Sequence, residues 1–263
     1  MSREFGIEQI KSLIKGEIGR DIIFSAAVDS TNTLAMVLGD KGAPHGTVVV
    51  ADMQYKGRGR LGRTWVSPPG VNIYMSVLLR PAIKSEDATL LTIMAAVACA
   101  RAIRTATGLQ VKIKWPNDLM VSDKKVGGIL TEIKSCERRI IFAVIGVGIN
   151  VNASMEDFPP DVRSAATSIR NETAKEQSRD LLIADILNEL DRWYAILIMA
   201  GRKTLLDEWR CHTSTLKRSV TVTLGKEVYS GIAEDIDDEG MLMLKLPSGV
   251  LKKISAGDLT ILR

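Results

Sequence analysis

Residues 56–65 concentrate ligand-binding chemistry, because three glycines alternate there with four cations. Glycine exposes backbone N–H groups and lets a ligand approach closely, and the arginine guanidinium binds two oxygens of a carboxylate or phosphate at once. The positive charges repel one another unless an anion neutralises them. The pattern therefore favours an anion-binding loop; the alternatives are a solvated basic turn and an RNA-contacting Arg-Gly segment. The spacing matches neither a Walker loop nor Gly-x-Gly-x-x-Gly.

A second basic group lies in the segment 112–118. Strand alternation places Lys112 and Lys114 on one face and apolar residues on the other. Two lysines on one face of an interior strand need a counter-charge, which a bound anion would supply. An exposed sheet face would instead leave both lysines in water, and both interpretations stay open. Asn117 and Asp118, which follow, are typical of a β-turn.

Three shorter motifs carry groups that could contact a polar ligand. Lys125 precedes a Gly-Gly strand start, where a ligand could lie against bare backbone, although a bulge after a surface hairpin explains the same pattern. The segment 146–152 combines glycines with asparagine amides, which offer both donors and acceptors. The segment 29–32, Asp-Ser-Thr-Asn, could offer hydroxyls to a ligand or simply cap a helix.

The residue types argue against nucleophilic catalysis. The two histidines, His45 and His212, lie in no known nucleophile-elbow motif. Cys99 falls in an apolar helical segment and is expected in the core. Several anion-binding motifs without a nucleophile favour activation of a group by phosphate chemistry over hydrolysis, because positioning and charge neutralisation suffice to drive it.

The composition of the 263-residue chain is that of an ordinary globular protein, with 46% hydrophobic and 25% charged residues and a net charge of +4. Disorder, collagen and a disulfide scaffold are excluded, and the scattered Cys99, Cys136 and Cys211 make a structural zinc site unexpected. The first residues lack the apolar core of a signal peptide, so a cytoplasmic location is expected. The apolar stretch 90–100 is short for a bilayer and is interpreted as part of a buried helix.

Periodicity and turn residues predict the elements that position these motifs. Helices are expected over residues 7–15, 30–39, 85–107, 179–200 and 203–210, with Asp29 or Ser30 capping the second and Ser85 the third. Strands are expected over 47–53, 72–79, 111–115, 119–122, 126–134 and 139–147, the last four antiparallel because their connections are short. From residue 220 onward, short runs and frequent turns predict a small β-barrel. The expected domains are 1–215 and 216–263.

Taken together, the motifs resemble those of biotin protein ligases, and the order and spacing agree from about residue 20 to the C-terminus. The matching segments are Asp29-Ser30-Thr31-Asn32, Gln54 with Gly57-Arg58-Gly59-Arg60-x-Gly62-Arg63-x-Trp65, Lys114-Trp115-Pro116-Asn117-Asp118, Lys125-x-Gly-Gly-Ile-Leu and Gly146-x-Gly148-Ile149-Asn150. The second and third segments form a highly specific pair.

The resemblance implies an enzyme that joins biotin and ATP to biotinyl-5′-AMP, releasing pyrophosphate, and then transfers biotin to a lysine of a carboxylase carrier domain. It implies an α+β fold in which helices flank a mixed, largely antiparallel sheet, with a C-terminal SH3-like barrel. Too few residues precede position 29 for the DNA-binding domain that many members carry, so the monofunctional form is expected. ATP and Mg²⁺, bound through phosphates, are the implied cofactors; a homodimer is one implied arrangement, and no nucleic acid or membrane partner is expected.

The resemblance also assigns roles to individual residues. Lys125, Arg58 and Arg60 are the expected catalytic residues, Lys125 by neutralising charge as the biotin carboxylate attacks the α-phosphorus. The expected biotin contacts are Ser30, Thr31, Asn32, Gln54, Gly57, Arg58, Lys125, Gly128 and Gly146. The expected ATP or adenylate contacts are Arg58, Arg60, Arg63, Trp65, Lys114, Asn117, Lys125 and Asn150.

The alternative functions are a lipoate or octanoate ligase and a non-catalytic biotin-sensing regulator. The first family typically carries an Arg-Arg-x-Ser-Gly-Gly-Gly loop, which this sequence lacks. Against the second, Lys125 and Arg58 are retained, which favours catalysis. An RNA-binding protein is disfavoured because aromatic residues, which would stack on bases, make up only 5% of the chain.

Overall fold

The computed structural model describes residues 5–262 and arranges them around two β-sheets. The strands of the first sheet are β1 (Ile22–Val28), β2 (Val48–Gln54), β3 (Ile73–Leu79), β4 (Lys112–Lys114), β5 (Asp118–Val121), β6 (Lys124–Cys136) and β7 (Arg139–Ile149). They lie in the order β1-β2-β3-β7-β6-β5-β4. The pair β1–β2 is parallel and the other neighbours are antiparallel, which confirms the predicted mixed, largely antiparallel sheet.

Strand β1 was not among the predicted strands, although residues 22–28 form an apolar run between Asp21 and Asp29. It pairs in parallel with β2, and Ile22 lies opposite Val48. A parallel neighbour needs a crossover connection, which helix α2 (Thr31–Asp40) provides. The crossover starts directly above the end of β1, so it brings the Asp-Ser-Thr-Asn motif to one end of the sheet.

The remaining helices largely follow the predicted ranges. They are α1 (Ile7–Leu13), α3 (Ala88–Thr107), α4 (Ile169–Thr173), α5 (Arg179–Ala195) and α6 (Arg202–His212). Of these five helices, α4 is the one that was not predicted. Ser85 does not cap α3, because residues 85–87 form a separate 3₁₀ turn and the Ser85 hydroxyl is buried without a partner. The predicted end of α3 is confirmed, since Gly108 adopts φ 75° and its N–H donates to the carbonyl of Arg104.

The helical segment 85–107, most of which is α3, is long and apolar enough to cross a bilayer, and the packing of α3 explains this composition. It contacts the first sheet, α5 and α6, so side chains around most of its circumference are buried. A helix that is apolar all round is expected at the centre of a large core. Cys99 lies fully buried on this helix, and burial raises the pKa of its thiol, which places it in the core as predicted.

The C-terminal part forms the second sheet, which is antiparallel throughout. Its strands are β8 (Ser219–Leu224), β9 (Glu227–Ile236), β10 (Leu242–Lys245), β11 (Leu251–Ile254) and β12 (Asp258–Ile261), in the order β11-β10-β9-β8-β12. Trp115 joins the two sheets, because its indole Nε1 donates to the carbonyl of Gly240 at 3.1 Å. Both sheets contribute buried side chains to one contiguous hydrophobic core, while β2, β3 and β7 also pack against α2 in a second, smaller cluster.

Candidate active site

A cavity of about 820 Å³ opens on one face of the first sheet. Its walls are the glycine–arginine loop (residues 57–65), the start of α2, strands β5 to β7, and Asp258 at the start of β12. The sequence-predicted site residues that line it are Ser30, Thr31, Asn32, Gln54, Arg58, Arg60, Arg63, Trp65, Lys114, Asn117, Lys125, Gly128, Gly146 and Asn150. The fold thus brings together motifs that are separated by more than 100 residues in the sequence.

Gly57 stands at the base of the glycine–arginine loop and does not line the cavity itself. A Cβ atom there would lie 2.2 Å from the carbonyl oxygen of Trp65, so only glycine fits. The loop closes on itself, since Trp65 N–H donates to the Gly57 carbonyl at 2.9 Å and Gly59 N–H to the Arg63 carbonyl at 2.7 Å. These bonds hold the arginines over the cavity mouth.

The cations of this segment already have partners within the protein. Lys56 pairs with Asp29 at 2.9 Å, Arg58 with Glu132 at 2.6 Å, and Arg63 with Asp258. The expectation that a ligand anion is needed to hold these charges together is therefore wrong as stated. Carboxylates from three other elements relieve the repulsion, because the fold brings them within contact distance.

Arg60 occupies the most enclosed position among these cations. Its Nη1 donates to Oδ1 of Asn117 at 3.0 Å and to the carbonyl of Gly257 at 3.3 Å. Both acceptors are neutral, and burial lowers the pKa of Arg60 from its ordinary value. By contrast, the hydrogen bond from Arg63 lowers the pKa of Asp258. Arg60 is thus a partly desolvated cation without a carboxylate bonded to it, which suits it to an anionic ligand.

The Asp-Ser-Thr-Asn motif forms a polar network with β2 and β3. Gln54 Oε1 accepts hydrogen bonds from the backbone N–H and the hydroxyl of Thr31, at 2.9 and 3.2 Å. The fully buried Ser76 hydroxyl lies 2.8 Å from Thr31 Oγ1 and 2.6 Å from Asn32 Oδ1. Ser30 occupies the N-cap position of α2, but its side chain makes no capping hydrogen bond. Capping therefore does not explain this motif.

Glycines on β6 and β7 make room for side chains above the sheet. A Cβ at Gly148 would lie 2.7 Å from the indole of Trp65, and one at Gly146 would lie 2.2 Å from Asn32 Oδ1. A Cβ at Gly128 would meet the Lys125 side chain at 3.2 Å. The sequence predicts that a ligand approaches the backbone closely at these glycines. In the structure, side chains of the protein itself lie against the glycine backbone. The indole Nε1 of Trp65 is buried without a hydrogen-bond partner.

Lys125 is fixed on both sides. Its backbone N–H donates to the carbonyl of Ala165 at 2.8 Å, and its carbonyl accepts from Thr167 N–H at 2.9 Å. Its Nζ lies 2.5 Å from Oδ1 of Asp118 and 5.5 Å from the centroid of the Trp65 ring. A β-bulge does follow the β5–β6 hairpin here, because Leu119 lies opposite Gly127 and Met120 opposite Lys125, and the Lys125 side chain also lines the cavity. The two interpretations of this segment are therefore compatible.

The remaining predicted ATP contacts support the cavity wall in this structure. Asn117 Nδ2 donates to the carbonyl of Ile129 at 2.8 Å, and Asn150 Nδ2 donates to that of Thr167 at 3.0 Å. Strand β4 lies at the edge of the sheet, so treating Lys112 and Lys114 as residues of an interior strand was wrong. Lys112 is exposed to solvent, whereas Lys114 is half-buried and lines the cavity.

Four polar residues near the predicted site were not assigned to it from the sequence. Asp118 was visible in the Lys-Trp-Pro-Asn-Asp motif but was interpreted only as a turn residue. Ser76, Glu132 and Asp258 stand in strands, where no local pattern marks them. Their partners lie 44 to 195 residues away in the sequence, so only the folded chain reveals the contacts.

Among residues 5–262, no group of three or more His, Cys, Asp or Glu side chains could hold a metal ion. The cavity does present single carboxylates, of which Asp118 is 21% exposed and pairs with Lys125. Mg²⁺ commonly binds through one or two carboxylates together with the phosphates of a substrate. The residues present therefore fit a magnesium ion that arrives with a nucleotide, and they offer no all-protein cage.

Comparison with known proteins agrees with this arrangement. Residues 24–150 match the biotin/lipoate A/B protein ligase family, and residues 215–259 match the biotin protein ligase C-terminal domain. The chain is 36% identical over 252 residues to the bifunctional ligase/repressor BirA of Bacillus spizizenii. The aligned region covers 95% of this chain and 77% of that protein. It is 32% identical to the biotin–[acetyl-CoA-carboxylase] ligase of Paracoccus denitrificans, over 85% of this chain and 94% of the relative.

A solved structure shares the same fold. The biotin protein ligase of Aquifex aeolicus in complex with biotin and ATP superposes with a TM-score of 0.79 at 28% identity. The superposition covers 93% of this chain and 99% of that one, so it includes both sheets. With the fold, the clustered motifs and relatives above 30% identity in agreement, the chain belongs to the biotin protein ligase family.

Proposed function

We propose that the cavity is where this ATP-dependent biotin–protein ligase joins biotin to ATP. The biotin carboxylate oxygen attacks the α-phosphorus, biotinyl-5′-AMP forms and pyrophosphate leaves. A lysine amine of a carboxylase carrier domain then attacks the biotinyl carbonyl, and AMP leaves as the amide forms and the amine loses a proton. The observation that carries this proposal is the convergence of Arg58, Arg60 and Lys125 on one cavity, which the start of α2 also lines.

We assign the polar network of α2, β2 and β3 to the head group of biotin. The Ser30 and Thr31 hydroxyls and the Gln54 amide offer the mixture of donors and acceptors that a ureido ring requires. Gln54 is held in place by its contacts to Thr31 and Ser67, so little freedom is lost when a ligand binds. Gly128 and Gly146 belong to the floor beneath the ring system, and Asn32 borders it.

We assign the opposite end of the cavity to the reacting carboxylate and the phosphates. Arg60 is the enclosed cation with neutral partners, and Lys125 is fixed beside Asp118. A cation held in a sheltered site stabilises the charge that develops in the transition state without first having to reorganise. Arg58, Arg63, Trp65, Lys114, Asn117 and Asn150 complete this end of the cavity. Mg²⁺ bound to the phosphates would neutralise part of the charge on the departing pyrophosphate.

We also propose the context in which the enzyme acts. The acceptor is a biotin carboxyl carrier domain, and the ligase and barrel units divide near residue 215. The three cysteines are free thiols, which fits a reducing compartment and supports a cytoplasmic location. A homodimer stays a prediction, for which the molar mass in solution is the test.

Incubation with biotin, Mg-ATP and a carrier-domain fragment, followed by a streptavidin blot, tests this function. We expect a labelled carrier that depends on ATP. Replacing biotin by lipoate in the ATP–pyrophosphate exchange distinguishes a lipoate ligase, and biotin binding without exchange would instead indicate a biotin-sensing regulator. An unlabelled carrier together with absent exchange would overturn the proposal.

A further inference from the structure

Glu132 on β6 contacts the first arginine of the glycine–arginine loop with both carboxylate oxygens. Arg58 Nη1 lies 3.0 Å from Oε1, and Nη2 lies 2.6 Å from Oε2. Such a two-bond contact fixes the direction of the guanidinium as well as its distance. The other ion pairs of this segment do not have a partner on the cavity sheet, because Asp29 precedes α2 and Asp258 belongs to the second sheet.

The Glu132 carboxylate is itself held from the protein interior. Asn32 Nδ2 donates to Oε2 at 2.8 Å and to the carbonyl of Leu130 at 3.1 Å. Asn32 is 3% exposed, and its Oδ1 lies 2.6 Å from the hydroxyl of Ser76, which is fully buried. Gly146 leaves the space that this amide fills, since a Cβ there would lie 2.2 Å from Asn32 Oδ1. A buried chain of contacts thus sets the position of Glu132 whether or not Arg58 is near.

The contact leaves Arg58 able to bind a ligand. A guanidinium has five N–H donors in a fixed plane, and Glu132 uses two of them. The N–H of Nε and one further N–H on each terminal nitrogen stay available. Glu132 can therefore hold the guanidinium plane of Arg58 while the remaining Arg58 N–H groups bind an anion. The anion does not have to displace Glu132 first.

We propose that Glu132 is a positioning residue that holds Arg58 in the orientation needed to retain the anionic part of the adenylate. The proposal rests on the function assigned above, because it requires Arg58 to touch the ligand. A long side chain that is fixed beforehand loses less freedom when it binds. The buried Ser76–Asn32 contact fixes Asn32, and Asn32 in turn holds Glu132 against the loop.

Two effects of removing Glu132 have opposite signs, which makes the proposal testable. Loss of the negative charge would strengthen the attraction of the cavity for an anion, whereas loss of the fixed orientation would weaken retention. The Arg58 side chain is 41% exposed, so solvent screens the first effect and the second dominates. Glu132→Ala is therefore expected to release the adenylate faster, and Glu132→Gln, which keeps one acceptor oxygen, is expected to fall between Glu132→Ala and the wild type.

The experiment measures the dissociation rate of preformed biotinyl-5′-AMP from the full-length enzyme. We expect release about tenfold faster for Glu132→Ala, which corresponds to 1.4 kcal/mol. Combined with Arg58→Ala, the same substitution should add less than twofold, because the two residues act through one contact. A merely structural role would not produce this dependence on Arg58. The thermal midpoint is measured in parallel, and Glu132→Gln serves if Glu132→Ala does not fold.

Asp40→Asn is the matched control, because it breaks the Lys134–Asp40 pair beside the same strand but outside the cavity. We expect wild-type release from that variant. Release from Glu132→Ala that is unchanged or slower, or effects of Glu132→Ala and Arg58→Ala that multiply independently, would overturn the inference while leaving the function intact. Failure of the wild type to form any adenylate would instead overturn the proposed function, and the inference with it.

Discussion

At the scale of the residue, the contacts of Lys125 restrict the conformational freedom of its side chain before any ligand binds. Its backbone is held by Ala165 and Thr167, and its ammonium group lies 2.5 Å from the Asp118 carboxylate. A lysine on a free loop would lose much of its conformational freedom on binding a substrate. Here that freedom is already restricted by the fold, so the cation is available at a fixed point of the cavity.

Substitution of Lys125 by alanine tests its assigned role. We expect biotin-dependent ATP–pyrophosphate exchange to fall by about 100-fold or more, because a preorganised charge in a sheltered site contributes on that scale. Lys124→Ala is the matched control, since the neighbouring lysine has the same charge and strand alternation directs it to the opposite face. Circular dichroism verifies that both variants fold. Normal exchange by Lys125→Ala would contradict the assigned role.

At the scale of the element, the glycine–arginine loop joins β2 and β3 and spans the cavity mouth. Few apolar side chains anchor it, and Leu61 at its tip is 65% exposed with φ 56°. Its position depends mainly on polar contacts to β6, Asn117 and the second sheet. Segments held by exposed polar contacts open at low free-energy cost. A mixed anhydride such as biotinyl-5′-AMP must be kept from water, so we expect this loop to close over the bound ligands.

Limited trypsin digestion tests whether ligands close the loop. We expect cleavage after Arg58, Arg60 and Arg63 to slow about tenfold or more in the presence of biotin and Mg-ATP, because ligands stabilise the closed state by mass action. Cleavage after Lys226, in the exposed β8–β9 turn, provides the internal control and should not change. Mass spectrometry of the fragments separates the sites. Equal rates at Arg58–Arg63 with and without ligands would contradict the prediction.

The elements and the site differ in how far the sequence predicts them. Strands β4 to β7 follow from alternation and short connections, and the motif glycines indicate close approach at the right positions. Strand β1 was missed because an isolated apolar run does not reveal its partner. The ion pair between Arg63 and Asp258 joins residues 195 positions apart, and Glu132 shows no local pattern. Local signals predict elements, whereas such contacts depend on how the elements pack.

At the scale of the whole molecule, the C-terminal sheet contributes to the cavity that the first sheet builds. Gly257 accepts a hydrogen bond from Arg60, and Asp258 pairs with Arg63. The Arg63 guanidinium lowers the pKa of Asp258, so the pair is intact at neutral pH. Its stabilising contribution is present above the unfolded pKa and is lost only as the pH falls through the lowered folded pKa. The second unit therefore helps to hold the loop over the cavity.

Asp258→Asn tests this contribution. The pair is partly exposed, so we expect the free energy of unfolding to change by less than about 1 kcal/mol. The KM for ATP in the exchange reaction should rise severalfold, because Arg63 is no longer held at the cavity. Glu234→Gln is the matched control, since it breaks the Lys217–Glu234 pair away from the cavity. An unchanged KM for ATP in Asp258→Asn would show that the contact does not position the loop.

The position of Trp65 makes its intrinsic fluorescence a probe of what occupies the cavity. The other tryptophans, Trp115, Trp193 and Trp209, are at most 2% exposed and lie away from the cavity floor, whereas the Trp65 indole rests on Gly148 within the cavity. Its emission should therefore respond to any molecule that fills the cavity, while the emission of the buried indoles stays constant. We expect biotin and ATP to change the fluorescence of the wild type and of Trp209→Phe but not of Trp65→Phe. Ligand binding could thus be followed without labels.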